Sequence, residues 1–200
     1  MKSDASLIVM SLAVILSYIF FTVGVPLLIQ AYLRSRHLHD RPPGIGAVLG
    51  AKYGSVSAIA CLAVFLLLAY LSVLRGGASH WWNYRLWVYG ALTLVGLLAG
   101  ACSGYLTGLA IGVALHRIRV ASSSRAMIIG LAVSSAIALS VNLLLIPQLG
   151  VSPFGNQAPE IYWLVLGMPS AMQILLGGWG GAQIQKLQSG AHPEMRPNTA

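Results

Sequence analysis

Gly96-Leu-Leu-Ala-Gly100-Ala-Cys-Ser-Gly104-Tyr-Leu-Thr-Gly108-Leu-Ala-Ile-Gly112 sets five glycines at strict four-residue spacing inside a long apolar run. In a bilayer, helices gain little from the hydrophobic effect when they meet, so close backbone approach over small residues becomes a main source of attraction. The row reads as a membrane glycine zipper, and the helix that carries it as the hub of the fold. Steps of four advance about 400° at 3.6 residues per turn, so the row drifts by about 40° per step and suits right-handed crossings. A second row at the same spacing, Gly130, Ser134, Ala138 and Asn142, marks its carrier as the hub's expected partner.

Composition places the chain in a membrane. Of its 200 residues, 57% are hydrophobic and 8% charged, against about 25% charged in soluble domains, and mean hydropathy is +0.78. Four acidic side chains (Asp4, Asp40, Glu160, Glu194) leave little material for paired-carboxylate catalysis or an oxygen-ligand metal cage. No phosphate-binding glycine loop, HExxH, GxSxG or CxxC pattern occurs. Enzyme chemistry is therefore disfavoured, and no cofactor is expected. Cys61 and Cys102 fall inside apolar runs and read as small packing residues.

A charge-free apolar stretch of about 18 residues or more signals a transmembrane helix. Five are expected, at about 7–33, 54–74, 86–116, 127–147 and 160–184. They define an all-α, polytopic transmembrane bundle spanning residues 1–184 as a single unit, with 185–200 a short cytoplasmic tail. The hub span reaches about 46 Å at about 1.5 Å per residue, beyond a hydrocarbon core of about 30 Å, so it must tilt, bend or project. The span at 54–74 is plain and reads as lipid-facing or peripheral.

The net charge of +8 belongs to topology rather than to nucleic acid. With five spans, Arg34, Arg36, Arg41, Lys52, Arg117, Arg119, Arg125, Lys186 and Arg196 fall on one side, and Lys2, Arg75 and Arg85 on the other. The positive-inside rule then puts the N-terminus outside and the C-terminus in the cytoplasm. Trp81, Trp82, Trp87 and Trp163 fall on the predicted outer rim, as an aromatic belt would. Nine arginines against three lysines favour a GC-rich bacterial genome and hence the bacterial inner (plasma) membrane.

Polar residues inside spans are the remaining leads. Asn142 cannot face lipid and is expected to hydrogen-bond across a helix interface or line a polar cavity. Pro169, Ser170 and Gln173 lie near the middle of the last span, and a proline-broken helix with an amide at the bilayer centre is how transporters often hold a polar solute. Asn142, Ser170 and Gln173 thus form the candidate polar site, with Tyr105 or Thr107 as further lining groups. Pro26 is expected to kink the first span, with the Thr22 hydroxyl healing the bend. Gly177-Gly-Trp179-Gly-Gly181 reads as a flexible inner end, either packed on the lower hub or acting as a hinge. In the loop after the first span, Pro42-Pro43 reads as extended. There His37, His39 and Asp40 are weak metal candidates, short of a full ligand set, so no metal is assigned.

Two functions are carried forward. The first is a non-catalytic subunit or assembly partner of a larger membrane complex, held to other subunits or to itself through small-residue faces: Gly96, Gly100, Gly104, Gly108 and Gly112 on one helix, Gly130, Ser134 and Ala138 on another. The alternative is a transporter or channel component for a neutral or weakly polar solute. Both have the lipid bilayer as a partner, and neither involves nucleic acid.

Overall fold

A computed structural model describes residues 13, 15–74, 86–120, 122–149 and 166–191. Those residues form five helices and no strand: α1 (Ile15–Ser35), α2 (Pro42–Leu74), α3 (Leu86–Ile118), α4 (Ser123–Leu149) and α5 (Met168–Ala191). Four contain segments long and apolar enough to cross a membrane: Ile15–Ser35, Pro42–Val64, Leu94–Ile118 and Ser123–Leu144. The described residues are thus all-helical, and the chain is a multi-pass membrane protein. The described part of α5 is not among those segments; it carries Gln183, Gln185, Lys186 and Gln188 and stays helical to Ala191, well into the stretch read as a tail. The outer-rim tryptophans Trp81, Trp82 and Trp163 lie outside the described residues.

The helices assemble as two antiparallel pairs, and the pairing differs from the sequence expectation. The hub α3 packs chiefly on α2, while α4 packs chiefly on α5. The cause is a third row, Gly46-x-x-x-Gly50-x-x-x-Gly54, followed by Ala58. A Cβ added at Gly104 would meet the Gly50 carbonyl oxygen, one at Gly108 that of Gly46, and one at Gly112 that of Pro42. The relation is reciprocal, since Cβ atoms at Gly50 and Gly54 would meet the Gly104 and Gly100 carbonyls. Two backbones lie in direct contact along both rows, the geometry that only glycine permits. The α4 row could not offer this fit to α3, because Ser134 and Ala138 carry side chains where the contact demands bare backbone.

The second span is accordingly neither peripheral nor confined to 54–74. It starts at Pro42 because proline suits the first turn: the amide hydrogens that Pro42 and Pro43 lack are ones a helix leaves unpaired there. Ile45 N–H donates to the Arg41 carbonyl at 3.1 Å to begin the ladder. Lys52 is exposed on α2, as a long stem with a charged tip can be.

The α4–α5 pair repeats the device. Gly130 faces the Gly177 carbonyl, Gly181 faces that of Ala126, and Gly177 faces Ser134. Gly178 abuts Leu131, and Gly180 lies 3.8 Å, measured from an added Cβ, from the Tyr53 ring of α2. The glycine run around Trp179 is therefore continuous helix, packed against α4 and, at Gly180, near the Tyr53 ring of α2. Trp179 itself is exposed. Ile111, Leu115, Ala126 and Ile184 form a buried cluster that ties α3, α4 and α5 together near the ends flanked by Arg117, Arg119 and Arg125.

α1 packs on the α2–α3 pair through Leu33, Ala47 and Tyr105 and exposes Leu16, Phe21, Leu27 and Leu28. Just before Pro26, where a kink is expected, the helix takes a π-helical turn, Phe20–Gly24. The Val25 N–H there donates to Phe20 rather than to Phe21. One residue on, the Phe21 carbonyl meets Pro26, which has no hydrogen to give. The Cys102 thiol donates to it instead, at 3.5 Å. The Thr22 hydroxyl, expected to heal the kink, bonds the Tyr18 carbonyl at 2.7 Å. The Tyr18 hydroxyl donates to the Val95 carbonyl, joining α1 to α3 a second time.

The turn between α1 and α2 gives His37 a backbone role. Leu38 N–H bonds the Leu33 carbonyl at 2.8 Å and His37 N–H that of Arg34 at 3.0 Å, a Schellman cap with His37 left-handed at φ 55. Leu38 also packs onto the Leu33 cluster, the apolar contact that accompanies this cap. Since L-residues other than glycine lose about 1 kcal/mol or more in that conformation, His37→Gly is expected to stabilise the protein by about 1 kcal/mol and His37→Val to destabilise it. Thermal unfolding in detergent checks both.

Candidate functional site

The glycines that let the backbones touch also leave little to fill the space beside them. Between α2, α3 and α5 lies a cavity of about 670 Å³, within the range of about 300–1,000 Å³ common for small-molecule sites. Nine of its lining residues are glycines, so much of the wall is bare helix backbone. Leu49, Leu62, Leu176 and Ile184 supply the bulkier apolar surface, and Tyr53, Ser57, Ser103, Thr107 and Gln173 the polar side chains. No Asp, Glu, Lys, Arg or His is among the described lining residues. Gly96, Ala99 and Ser103 are exposed, so the cavity opens along the α3 side.

Its main polar fixture is a bond between helices: Gln173 Nε2 donates to Thr107 Oγ1 at 2.7 Å. Thr107 is buried, and its hydroxyl keeps a hydrogen to donate after accepting this one. Gln173 is brought there by α5, one turn before Gly177, on the side where α5 leaves α4 and meets α2 and α3.

The other two members of the sequence-based site go elsewhere. Asn142 Nδ2 donates to Ser170 Oγ and to the Ala138 carbonyl, both at 2.8 Å. This joins α4 to α5 outside the cavity wall. Asn142 Oδ1 is buried without a partner, an acceptor left open beside Ser170. Pro169 lines the cavity, in the second position of α5 and just after the π-helical pair Leu166–Gly167.

Comparison with family models, with curated proteins and with solved structures finds no match. The site must be read from its own chemistry.

Tyr105 does not line the cavity. It is turned toward α1 with Leu33 and Ala47, and its hydroxyl is buried without a partner. Ser134 is fully buried against Gly177, its hydroxyl likewise unpaired. Among the small residues, Gly100, Gly104, Gly108 and Gly112 meet α2, Gly130 and Ser134 meet α5, and Ala138 is buried on α4, while an added Cβ at Gly96 would have nothing within 4 Å. His37, His39 and Asp40 follow one another through the turn, where the His39 carbonyl packs over Gly44. No group of three or more His, Cys, Asp or Glu among the described residues could hold a metal ion.

Sequence reasoning missed Leu49, Tyr53 and Leu62, because α2 read as peripheral. The spacing of Gly46, Gly50 and Gly54 was the available signal for that wall.

Proposed function

We propose that this chain is a transporter or channel component that receives a neutral, largely apolar small molecule inside the bilayer. The observation that carries the reading is the uncharged cavity of about 670 Å³ between α2, α3 and α5, with the Gln173–Thr107 bond as its polar fixture. Charged solutes would lose their hydration there without a counter-charge, which costs several kcal/mol. A neutral molecule with one or two hydrogen-bonding groups matches the lining. With no Asp, Glu, Lys, Arg or His among the described lining residues, binding and passage fit better than catalysis.

The topology proposed with it has the five spans expected from the sequence, the last at about 160–184. Arg34, Arg36, Arg41, Arg117, Arg119, Arg125 and Lys186 flank ends that lie together, and the positive-inside rule makes that face cytoplasmic. The N-terminus is then external, and the membrane a bacterial inner membrane.

Membership of a larger complex is the second reading. Gly96 supports it, as the one glycine of the hub row with open space before it. Against its primacy, the rest of that row and the α4 row are occupied by α2 and α5 within this chain.

Purification from native membranes in lipid nanodiscs, followed by solvent extraction and mass spectrometry, separates the readings. The wild type is expected to carry a neutral small molecule near one equivalent, lost in Ala99→Trp, where an indole fills the cavity mouth. Equal retention by both proteins would reject the cavity as its site. Stoichiometric copurification of unrelated chains, lost in Gly96→Leu, would favour the complex instead.

A further inference from the structure

The cavity is long as well as uncharged, and its length bears on what it holds. Its wall on α2 runs from Gly46 to Leu62, on α3 from Gly96 to Ile111 and on α5 from Pro169 to Ile184. At about 1.5 Å of rise per residue, each wall extends for about 22–24 Å. That is most of a hydrocarbon core of about 30 Å. A compact solute would touch a small part of such a wall and leave the rest to other molecules. An extended hydrocarbon chain would touch nearly all of it, gaining dispersion contacts along bare backbone that no side chain supplies.

We infer that the occupant is a neutral single-chain amphiphile, its apolar chain lying along the glycine wall of α2 and α3 and its hydroxyl or carbonyl head at Gln173 and Thr107. This deepens the small-molecule reading above and rests on it. The head is assigned by chemistry. Thr107 takes one of the two amide hydrogens of Gln173, and the amide carries a further N–H and a carbonyl oxygen, so the pair can serve either a donor or an acceptor. A cationic or anionic head finds no counter-charge among the described lining residues. Entry requires no aqueous path, because Gly96, Ala99 and Ser103 are exposed on the α3 side, where a chain already dissolved in the bilayer can slide in.

The test uses the full chain in nanodiscs with three photoreactive probes, each carrying a diazirine at its apolar end: hexadecanol, hexanol and hexadecyl-trimethylammonium. Hexadecanol is expected to crosslink to peptides of α2, α3 and α5, hexanol and the cation far less. Gln173→Leu should weaken hexadecanol labelling by about fivefold, the loss of about one hydrogen bond. Ala99→Trp should abolish it, and Leu62→Trp, on the α2 wall near the same end, serves should the first variant fail to fold. Each variant is scored only as a monodisperse protein.

If hexanol labels the same peptides as strongly as hexadecanol, the long chain is rejected and the small-molecule cavity survives. If the cation matches the alcohol, or Gln173→Leu labels as the wild type does, the neutral head at Gln173 is rejected. If no probe labels the walls, both the inference and the reading beneath it fall.

Discussion

Gly104→Ala is expected to unfold the α2–α3 pair, or at least to destabilise the protein by about 3 kcal/mol, for the addition of one methyl group. The magnitude follows from what the methyl meets. The Gly50 carbonyl oxygen stands in its place, and the next nearest atoms are the Gly54 Cα, at 2.7 Å, and the Gly54 nitrogen, at 2.9 Å. All are backbone, so no rotamer change can relieve the clash and the helices must move apart along their whole contact. The same change at Gly96 meets nothing within 4 Å. There alanine should stabilise slightly, by about 0.5 kcal/mol, because it restricts the unfolded chain and favours helix. Thermal melts of the two variants side by side, in one detergent, check the contrast. Equal melting temperatures would mean that α2 and α3 do not meet through this row.

The second large effect is expected at Gly177, and it is conditional. Alanine there brings a Cβ within 2.6 Å of the Ser134 Cβ, with the serine oxygen closer still. Gly177→Ala alone should destabilise by about 2 kcal/mol or more. Ser134→Gly removes the opposing side chain together with a buried hydroxyl that has no partner, and the double variant should regain most of that loss. A coupling of about 2 kcal/mol in the double-mutant cycle is the expected signature of direct contact. Ser134→Gly should do nothing for Gly104→Ala, whose clash lies in the other pair. Additive effects at Gly177 and Ser134 would place the two helices in a different register.

Much of this architecture was legible in the chain. The glycine row of α3 announces a helix made for close approach, and Asn142 announces a bond across an interface, which it makes with Ser170. What misled was the treatment of α2. A search for charge-free apolar runs starts that helix at Gly54, because Lys52 and the two prolines interrupt the run. Yet a lysine on an exposed face costs a membrane helix little when its stem can reach outward, and prolines in a first turn are compatible with helix. Discounting them reveals Gly46, Gly50 and Gly54 at the hub's own spacing. The Gln173–Thr107 bond had no comparable signal: each residue was marked as polar, but the residues are far apart in sequence and nothing local pairs them. His37 illustrates the opposite error. A histidine two residues from another invites thoughts of a metal, whereas its backbone conformation ends α1 and turns the chain toward α2.

The matching spacing on α2 and α3 has a consequence for how the pair finds its alignment. Both rows repeat every four residues, so sliding one helix past the other by that step, about 6 Å, sets glycine against glycine again. Gly108 would then lie against Gly50 rather than Gly46, with the same bare surfaces apposed. Like a rack whose teeth are all alike, the contact specifies which faces engage and is indifferent to which tooth sits in which gap. The choice has to come from residues that do not repeat: Pro42 at the end of the rack over Gly112, Ile184 reaching from α5 to Gly46, and the Leu115–Ala126 cluster that fixes the end of α3.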